Sequence, residues 1–240
     1  MAIQSGPFKF TGSLGDLSFY YNKQHGYLVR TKGGGKGSKL SPRTRENGTE
    51  FGEASRVSKL IRHALNFSFR MKGDSTVQQR LNSCMRSLLR YDKTSARGKR
   101  NVAKALADPE AMQELSRFAF YTDYPFTAVL HKKVKYDAPN RSFALADFLA
   151  DRDLNWPGRA THVQLWGTSL LFESHWDAHD EEPTEPVVLS RNSAVRDVVL
   201  THEAHDGNRE GMLQVMSVVF FEEVNGELVR LKEGMSLGVL

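Results

Sequence analysis

Two short acidic segments, "HWDAHDEE" and "HEAHD", hold the side chains best suited to bind a metal. Their histidines are spaced by four and by three residues: His175 and His179 in the first segment, His202 and His205 in the second. Such spacings put two imidazoles within reach of one ion, and nearby carboxylates complete the ligand set. Both segments are predicted to be loops, where spacing imposes no geometry, and the H-E-x-x-H order is absent. We therefore predict solvated loops without a metal or cofactor, and keep the four histidines as an alternative.

A second candidate for chemistry is the glycine stretch "GGGKGSK" at residues 33–39. A phosphate-binding loop requires G-x-x-x-x-G-K-[ST] between a strand and a helix, whereas Lys36 here precedes Gly37 and Ser38. The stretch therefore predicts a flexible tether, which we extend to residue 43. Cys84 lies in an apolar helical stripe, and no G-x-S-x-G motif is present. The sequence thus predicts neither an enzyme nor a small-molecule substrate.

Charge divides the chain into two unlike parts. Residues 1–104 carry 21 Lys and Arg against 6 Asp and Glu, a net charge of +15. Residues 105–240 carry 12 against 22, a net charge of −10. This asymmetry indicates a polyanion partner for the basic part, or contact between the two parts of different molecules. The candidate polyanion-binding residues are Lys36, Lys39, Arg43, Arg45, Arg56, Lys59, Arg62, Arg97, Lys99 and Arg100.

The aromatic ribbon "LSFYYNKQHGYLVRT" at residues 17–31 has the alternation of two β-strands. Its central "KQHG" suits a four-residue hairpin turn. An isolated hairpin is at best marginally stable in water, so we expect this one to pair with another surface. The residues predicted to contact that partner are Phe19, Tyr20, Tyr21, Tyr27, Val29 and Arg30.

The rest of the chain changes from helical to strand periodicity near residue 120. Helices are predicted at about residues 49–71 and 75–91, followed by shorter ones at 100–107 and 109–117. Strands are predicted at 126–137, 160–174, 186–190, 212–224 and 227–234, with Asn225-Gly226 as a hairpin turn. The predicted fold class is α+β, with an N-terminal β-hairpin and flexible tether (1–40), a basic helical region (41–119) and an acidic, antiparallel, Ig-like β-sandwich (120–240).

Composition limits the compartment. The chain has 240 residues, 40% of them hydrophobic, which suffices for a sizeable core. Its single cysteine permits no intrachain disulfide, which favours a reducing compartment. The first residues lack the pattern of a cleavable signal peptide, and no apolar run is long enough to span a membrane. We therefore expect synthesis in the cytoplasm, with later export or incorporation into a larger assembly left open.

The opening resembles an uncharacterised family of bacterial proteins. The matching residues are Gly12, Leu14, Gly15, Phe19, Tyr20, Gly26, Val29, Arg30 and Thr31, followed by Pro42, Arg43 and Thr44. These correspond to a G-x-[IL]-G-x-x-x-F-Y ribbon, a glycine turn, a V-R-[ST] strand and a "PRT" segment. The resemblance implies amphipathic helices and a C-terminal β-rich region, and it carries over no activity.

Three functions fit these observations. The one we favour is a non-enzymatic structural protein that self-associates head to tail, as a ring or filament, through its N-terminal hairpin and its complementary basic and acidic halves. The alternative is a nucleic-acid-binding protein that uses the basic residues between 20 and 104, although no nucleic-acid-binding motif is present. The third is a metal-dependent enzyme built on the histidine segments.

Overall fold

The computed structural model describes residues 2–32, 40–65, 76–172, 179–202 and 211–240. It divides the chain into two compact units, Met1–Thr44 and Arg45–Leu240, where the sequence suggested three regions. Helices and antiparallel sheets are both present, which confirms the α+β class.

The N-terminal unit is built on a four-stranded antiparallel sheet with the order β1-β4-β3-β2, here called the N-terminal sheet. Its strands are β1 (Ala2–Ile3), β2 (Gly12–Leu14), β3 (Leu17–Asn22) and β4 (Gly26–Thr31). The predicted hairpin is β3–β4, but it is not alone. The sequence did not predict β1 and β2 because two or three residues are too few for an alternation pattern.

The second unit contains six helices and eight strands within the described residues. The helices are α1 (Pro42–Ala64), which begins in the first unit, α2 (Val77–Leu88), α3 (Val102–Ala105), α4 (Pro109–Ser116), α5 (Phe126–Val129) and α6 (Ala150–Asp153), and a 3₁₀ turn at Leu89–Tyr91 continues α2. The strands are β5 (Lys135–Asp137), β6 (Ser142–Leu145), β7 (His162–Phe172), β8 (His179–Pro183), β9 (Val187–Ser190), β10 (Val198–Thr201), β11 (Gly211–Val224) and β12 (Glu227–Val239).

Helix α1 begins at Pro42, earlier than the sequence predicted. The Ser41 hydroxyl accepts a hydrogen bond from the Thr44 backbone N–H at 3.1 Å, and Pro42 occupies the first helical position. Both are standard start signals, since a proline at this position loses no intrahelical hydrogen bond. The prediction placed both residues near the end of the tether, so that part of it was wrong. The tether itself falls mostly on residues 33–39, outside the described residues.

Two sheets form the β part of the second unit. The central sheet has the order β12-β11-β7-β8, and β9 pairs with β7 beside β8. The small sheet has the order β10-β6-β5. The strand predicted at 126–137 is wrong over its first residues, which form α5 after Pro125. There a glycine of β12 leaves room for the ring of Phe126, since a Cβ at Gly238 would lie 2.2 Å from that ring.

Both faces of the central sheet are buried. Odd-numbered residues of β11, such as Leu213 and Val215, join the helices in one hydrophobic cluster. Even-numbered residues, such as Val218 and Phe220, join the small sheet in a second cluster. Successive strand residues point to opposite faces, so a strand covered on both sides is apolar at almost every position. Helices α1–α4 therefore cover one face of the central sheet, and the small sheet with α5 and α6 covers the other.

Candidate interaction surface

The N-terminal sheet sorts its side chains onto two faces through the register of its hairpin. Phe19 lies opposite Val29, and Tyr21 lies opposite Tyr27. Directly opposed residues share a face, so Leu17, Phe19 and Tyr21 of β3 lie on the same face as Tyr27 and Val29 of β4. Strand β2 adds Leu14, which lies opposite Leu17. We call this set the apolar face: Leu14, Leu17, Phe19, Tyr21, Tyr27 and Val29.

The apolar face is open to water at several large side chains. Leu14 is 72% exposed and Tyr21 is 58% exposed. The rings of Tyr21 and Tyr27 lie 5.1 Å apart, and Phe10 contacts Phe19 edge-on at 6.2 Å. Aromatic pairs of this kind stabilise neighbouring strands but do not remove the face from solvent. This unit therefore exposes an apolar patch of the sort that marks interaction sites.

The opposite face carries Tyr20, Leu28 and Arg30. Tyr20 lies opposite Leu28, and the Arg30 guanidinium lies over the Tyr20 ring, 5.6 Å from its centre. Leu28 is the single buried side chain of this unit among the described residues. The six residues predicted to contact a partner thus divide between two faces: Tyr20 and Arg30 lie on this one, and the other four on the apolar face.

Sequence reasoning missed the residue that ties the first strand to the sheet, Gln4. Its side-chain amide donates to the carbonyls of Phe10 and Leu28, at 3.1 and 3.0 Å, and accepts from the Phe10 N–H at 2.9 Å. Its backbone N–H donates to the Tyr27 carbonyl at 2.9 Å. Gln4 therefore holds the 5–11 loop, and with it Phe10, against the hairpin.

Three of the six arginines that were predicted to bind a polyanion form ion pairs with carboxylates of α1. The Arg56 Nη2 atom lies 3.0 Å from Glu53 Oε2. The Nε atoms of Arg97 and Arg100 lie 3.5 Å from Glu46 Oε2 and 3.9 Å from Glu50 Oε1, respectively. Such pairs lower the positive potential of the helical region. Within the same set, Arg43, Arg45, Lys59 and Lys99 are exposed and Arg62 is half-buried, while Lys36 and Lys39 lie outside the described residues.

The histidines do not come together as a metal site within the described residues. His175 and His205 lie outside them, and His179 lies in β8. His202 is buried at the end of β10, where its Nε2 lies 2.8 Å from the Ser169 hydroxyl. Among the described residues no group of three His, Cys, Asp or Glu side chains could hold a metal ion.

The Ser169–His202 pair has the distance of a nucleophile and its base, but not the access. The Ser169 side chain is 1% exposed, and its hydroxyl also donates to the Gln214 side-chain oxygen at 2.5 Å. A nucleophile must reach a substrate, which this position prevents. Burial lowers the pKa of His202, and the neighbouring Arg141 lowers it further, against an opposing effect of Glu182. The pair therefore serves as a buried polar link between the central and small sheets.

Cys84 packs half-buried against the helical cluster, as its apolar stripe predicted. Burial raises the pKa of its thiol to about 12, and Glu114 adds to that effect. Because the thiolate is the reactive form, both the burial and the raised pKa disfavour reaction of this thiol.

Comparison with protein families, curated proteins and solved structures gives no match to this chain. Among the helices of the described residues, none has the length and apolar character needed to cross a membrane.

Proposed function

We propose that this chain is a non-enzymatic assembly protein whose copies associate head to tail, as a ring or filament, through the N-terminal sheet. The observation that carries the proposal is the exposed apolar face of a unit that buries only Leu28 among its described residues. A small sheet gains stability when its apolar face is covered. A second copy of the chain provides a surface that can cover this face without any other protein.

Charge supports a head-to-tail arrangement over a pairing of two identical faces. Residues 1–44 carry seven Lys and Arg against one Asp. Two such units placed face to face would repel, whereas the acidic residues 105–240 offer the opposite sign. Contacts between unlike surfaces leave each copy with one free surface of each kind, so they close into rings or extend into filaments.

Molecular mass in solution tests this proposal. We expect wild type to have a mass above that of the 27.1 kDa monomer by light scattering, decreasing as salt screens the charges. The double variant Leu14→Ser/Tyr21→Ser makes the apolar face polar, and we expect it to be monomeric. Val199→Ser is the matched control, because Val199 is also 58% exposed but lies on the small sheet. An unchanged mass in the double variant contradicts the proposal.

The nucleic-acid alternative has less support. The exposed Arg43, Lys59 and Lys99 favour it, and the carboxylate partners of Arg56, Arg97 and Arg100 weigh against it. Titration of labelled single- and double-stranded oligonucleotides at low salt decides the matter, since phosphate contacts give binding that falls steeply with added salt. No observation in the described residues favours the metal-dependent enzyme.

For the fold, we propose that the central and small sheets form an antiparallel β-sandwich. Support comes from the second hydrophobic cluster, in which Phe143 and Leu145 of the small sheet pack with Val163 and Val218 of the central sheet. The Ig-like arrangement of strands stays a prediction.

A further inference from the structure

A cavity of about 390 Å³ lies between the C-terminal end of α1 and the edge of the central sheet. Ala64 and Leu65 form its helical wall, and Trp166 and Thr168 of β7 form its sheet wall. Glu181 and residues 183–186 form the remaining side. Its volume lies within the range of about 300–1,000 Å³ that is typical of pockets for small ligands.

The cavity lies where two edge strands meet. Strand β8 pairs with the second half of β7, and β9 pairs with the first half. The connection between β8 and β9 therefore runs alongside Trp166 and Gly167 of β7, which neither strand pairs with. Thr184 holds this crossing: its N–H donates to the Gly167 carbonyl at 2.9 Å, and its hydroxyl accepts from the Gly167 N–H at 3.1 Å. Pro183 and Pro186 flank it, and proline has no N–H to extend the strand pairing. The gap is thus built into the strand connection.

The walls of the cavity combine an apolar surface with negative charge. The Trp166 ring, Leu65 and the two prolines supply the apolar part, and Glu181 and Glu185 supply carboxylates. Desolvation raises the pKa of the Glu181 carboxyl, and a cation beside it would stabilise the charged form. The C-terminal end of α1 adds the negative end of a helix dipole, while Arg62 and His63 in its last turn are not among the lining residues. This chemistry suits a cationic group on an aliphatic stem.

We propose that this cavity binds a lysine side chain from the "KGGGKGSK" segment (residues 32–39) of a second copy of the chain. The proposal rests on the head-to-tail assembly proposed above and names its acceptor site. Lysine combines an aliphatic stem with an ammonium group, and the stem can lie along Trp166 while the ammonium reaches Glu181 or Glu185. Lys36 has a glycine on each side, so no neighbouring side chain obstructs its entry.

Two full-length variants test the pairing of these surfaces. Lys32→Gln/Lys36→Gln/Lys39→Gln removes the donor charges, and Glu181→Gln/Glu185→Gln removes the acceptor charges. We expect each variant alone to be monomeric by light scattering. In an equimolar mixture one intact donor meets one intact acceptor, so we expect a dimer that does not grow further. Glu223→Gln/Glu227→Gln, at the exposed β11–β12 turn, is the matched control and should assemble like wild type.

A peptide experiment tests the site without assembly. A labelled peptide of residues 31–40 should bind the full-length lysine variant, and a peptide with all three lysines changed to glutamine should not. Loss of the two cavity carboxylates should weaken the binding about tenfold, the effect of losing one charge-assisted hydrogen bond. The control pair Glu223→Gln/Glu227→Gln, added to the lysine variant, should leave the affinity unchanged.

The outcomes separate the two proposals. If wild type assembles and the cavity variant assembles equally well, the acceptor site is wrong and the assembly proposal stands. If wild type is monomeric, the assembly proposal is wrong, and the acceptor in a second copy fails with it even where the peptide binds. If the affinity for the peptide is the same with and without the carboxylates of Glu181 and Glu185, the proposed acceptor site is wrong in either case.

Discussion

The two compact units obtain their stability from different sources. In the body, residues 45–240, helices and the small sheet cover both faces of the central sheet, and large rings such as Phe143 and Phe220 are fully buried. In the N-terminal unit, the described residues bury only Leu28, and the sheet is held by strand pairing and the Gln4 side chain. Burial of apolar surface is the main driving force of folding, so the body has its own source of stability in its two hydrophobic clusters. The N-terminal sheet leaves large apolar side chains exposed on one face, and the proposed assembly rests on that exposure.

The difference teaches where to look for function. Exposed apolar side chains on the body include single residues such as Val188 and Val195, which are normal on protein surfaces, and a small group at the β11–β12 turn. On the N-terminal unit, Leu14, Leu17 and Tyr21 share one face of a sheet, in a unit that carries seven Lys and Arg against one Asp. Clustering, more than exposure itself, distinguishes an interaction surface.

The largest expected contrast between the units comes from removing a large side chain in each. Phe220 is fully buried and packs against Trp156, with ring centres 5.1 Å apart. We expect Phe220→Ala to lower the free energy of unfolding by about 3–5 kcal/mol, because it leaves a cavity. Tyr21→Ala removes only a cross-strand aromatic pair, so it should lower the free energy of unfolding of the monomer by at most about 1 kcal/mol. Urea denaturation measures both, and equal effects would break the comparison.

A smaller effect is expected from adding a methyl group to the body. A Cβ at Gly167 would lie 2.2 Å from the Phe143 ring, across the two sheets. We expect Gly167→Ala to destabilise the protein by about 1–3 kcal/mol through overpacking. Gly158→Ala is the matched control, because a Cβ there has no atom within 4 Å. If both variants unfold at the same urea concentration, the two sheets are not packed as tightly as described.

The smallest expected effect is a pH dependence confined to the body. His202 has a lowered pKa in the folded protein, so it becomes protonated at a lower pH than an ordinary imidazole, whose pKa is about 6.5. The unfolded chain then binds more protons, and the free energy of unfolding falls as the pH decreases below about 6.5. His202→Gln should reduce this slope, which urea denaturation at several pH values measures.

Hydrogen exchange extends this prediction to the N-terminal sheet. The described residues of that sheet include no buried titratable side chain. Once corrected for the intrinsic pH dependence of exchange, local protection of its amides should therefore be the same on both sides of pH 6.5. A loss of protection in parallel with the body would mean that the two units unfold together.

Local patterns predicted several elements correctly. Alternation in "LSFYY" and "YLVRT" placed the right residues on one face, because a strand has a period of two. Asn225-Gly226 forms the turn between β11 and β12, with φ of 54° and 84° at the two residues. Helix α4 begins at Pro109, as the helix predicted at 109–117 does, because proline is favoured at the first helical position. Each of these features depends on residues close together in the chain.

Features that depend on distant residues were not predicted. The Ser169–His202 pair joins positions 33 residues apart, and neither residue lies in a motif that indicates the other. The cavity beside Trp166 exists because β8 and β9 share one edge of β7 and α1 ends beside them. The carboxylate partners of Arg97 and Arg100 lie in α1, about fifty residues earlier. Short-range periodicity contains no information on such contacts.

The sequence by itself determined the α+β class, the hairpin with its aromatic faces and the opposite charges of the two ends. These follow from composition and from the fixed periods of strands and helices. Only the tertiary structure decided that both faces of the central sheet are covered, that several basic residues are paired with carboxylates, and that a cavity lined by Glu181 and Glu185 opens beside Trp166. The physical reason is that packing brings together side chains that are far apart in the chain. The burial of each side chain and the partners of each charge depend on these long-range contacts.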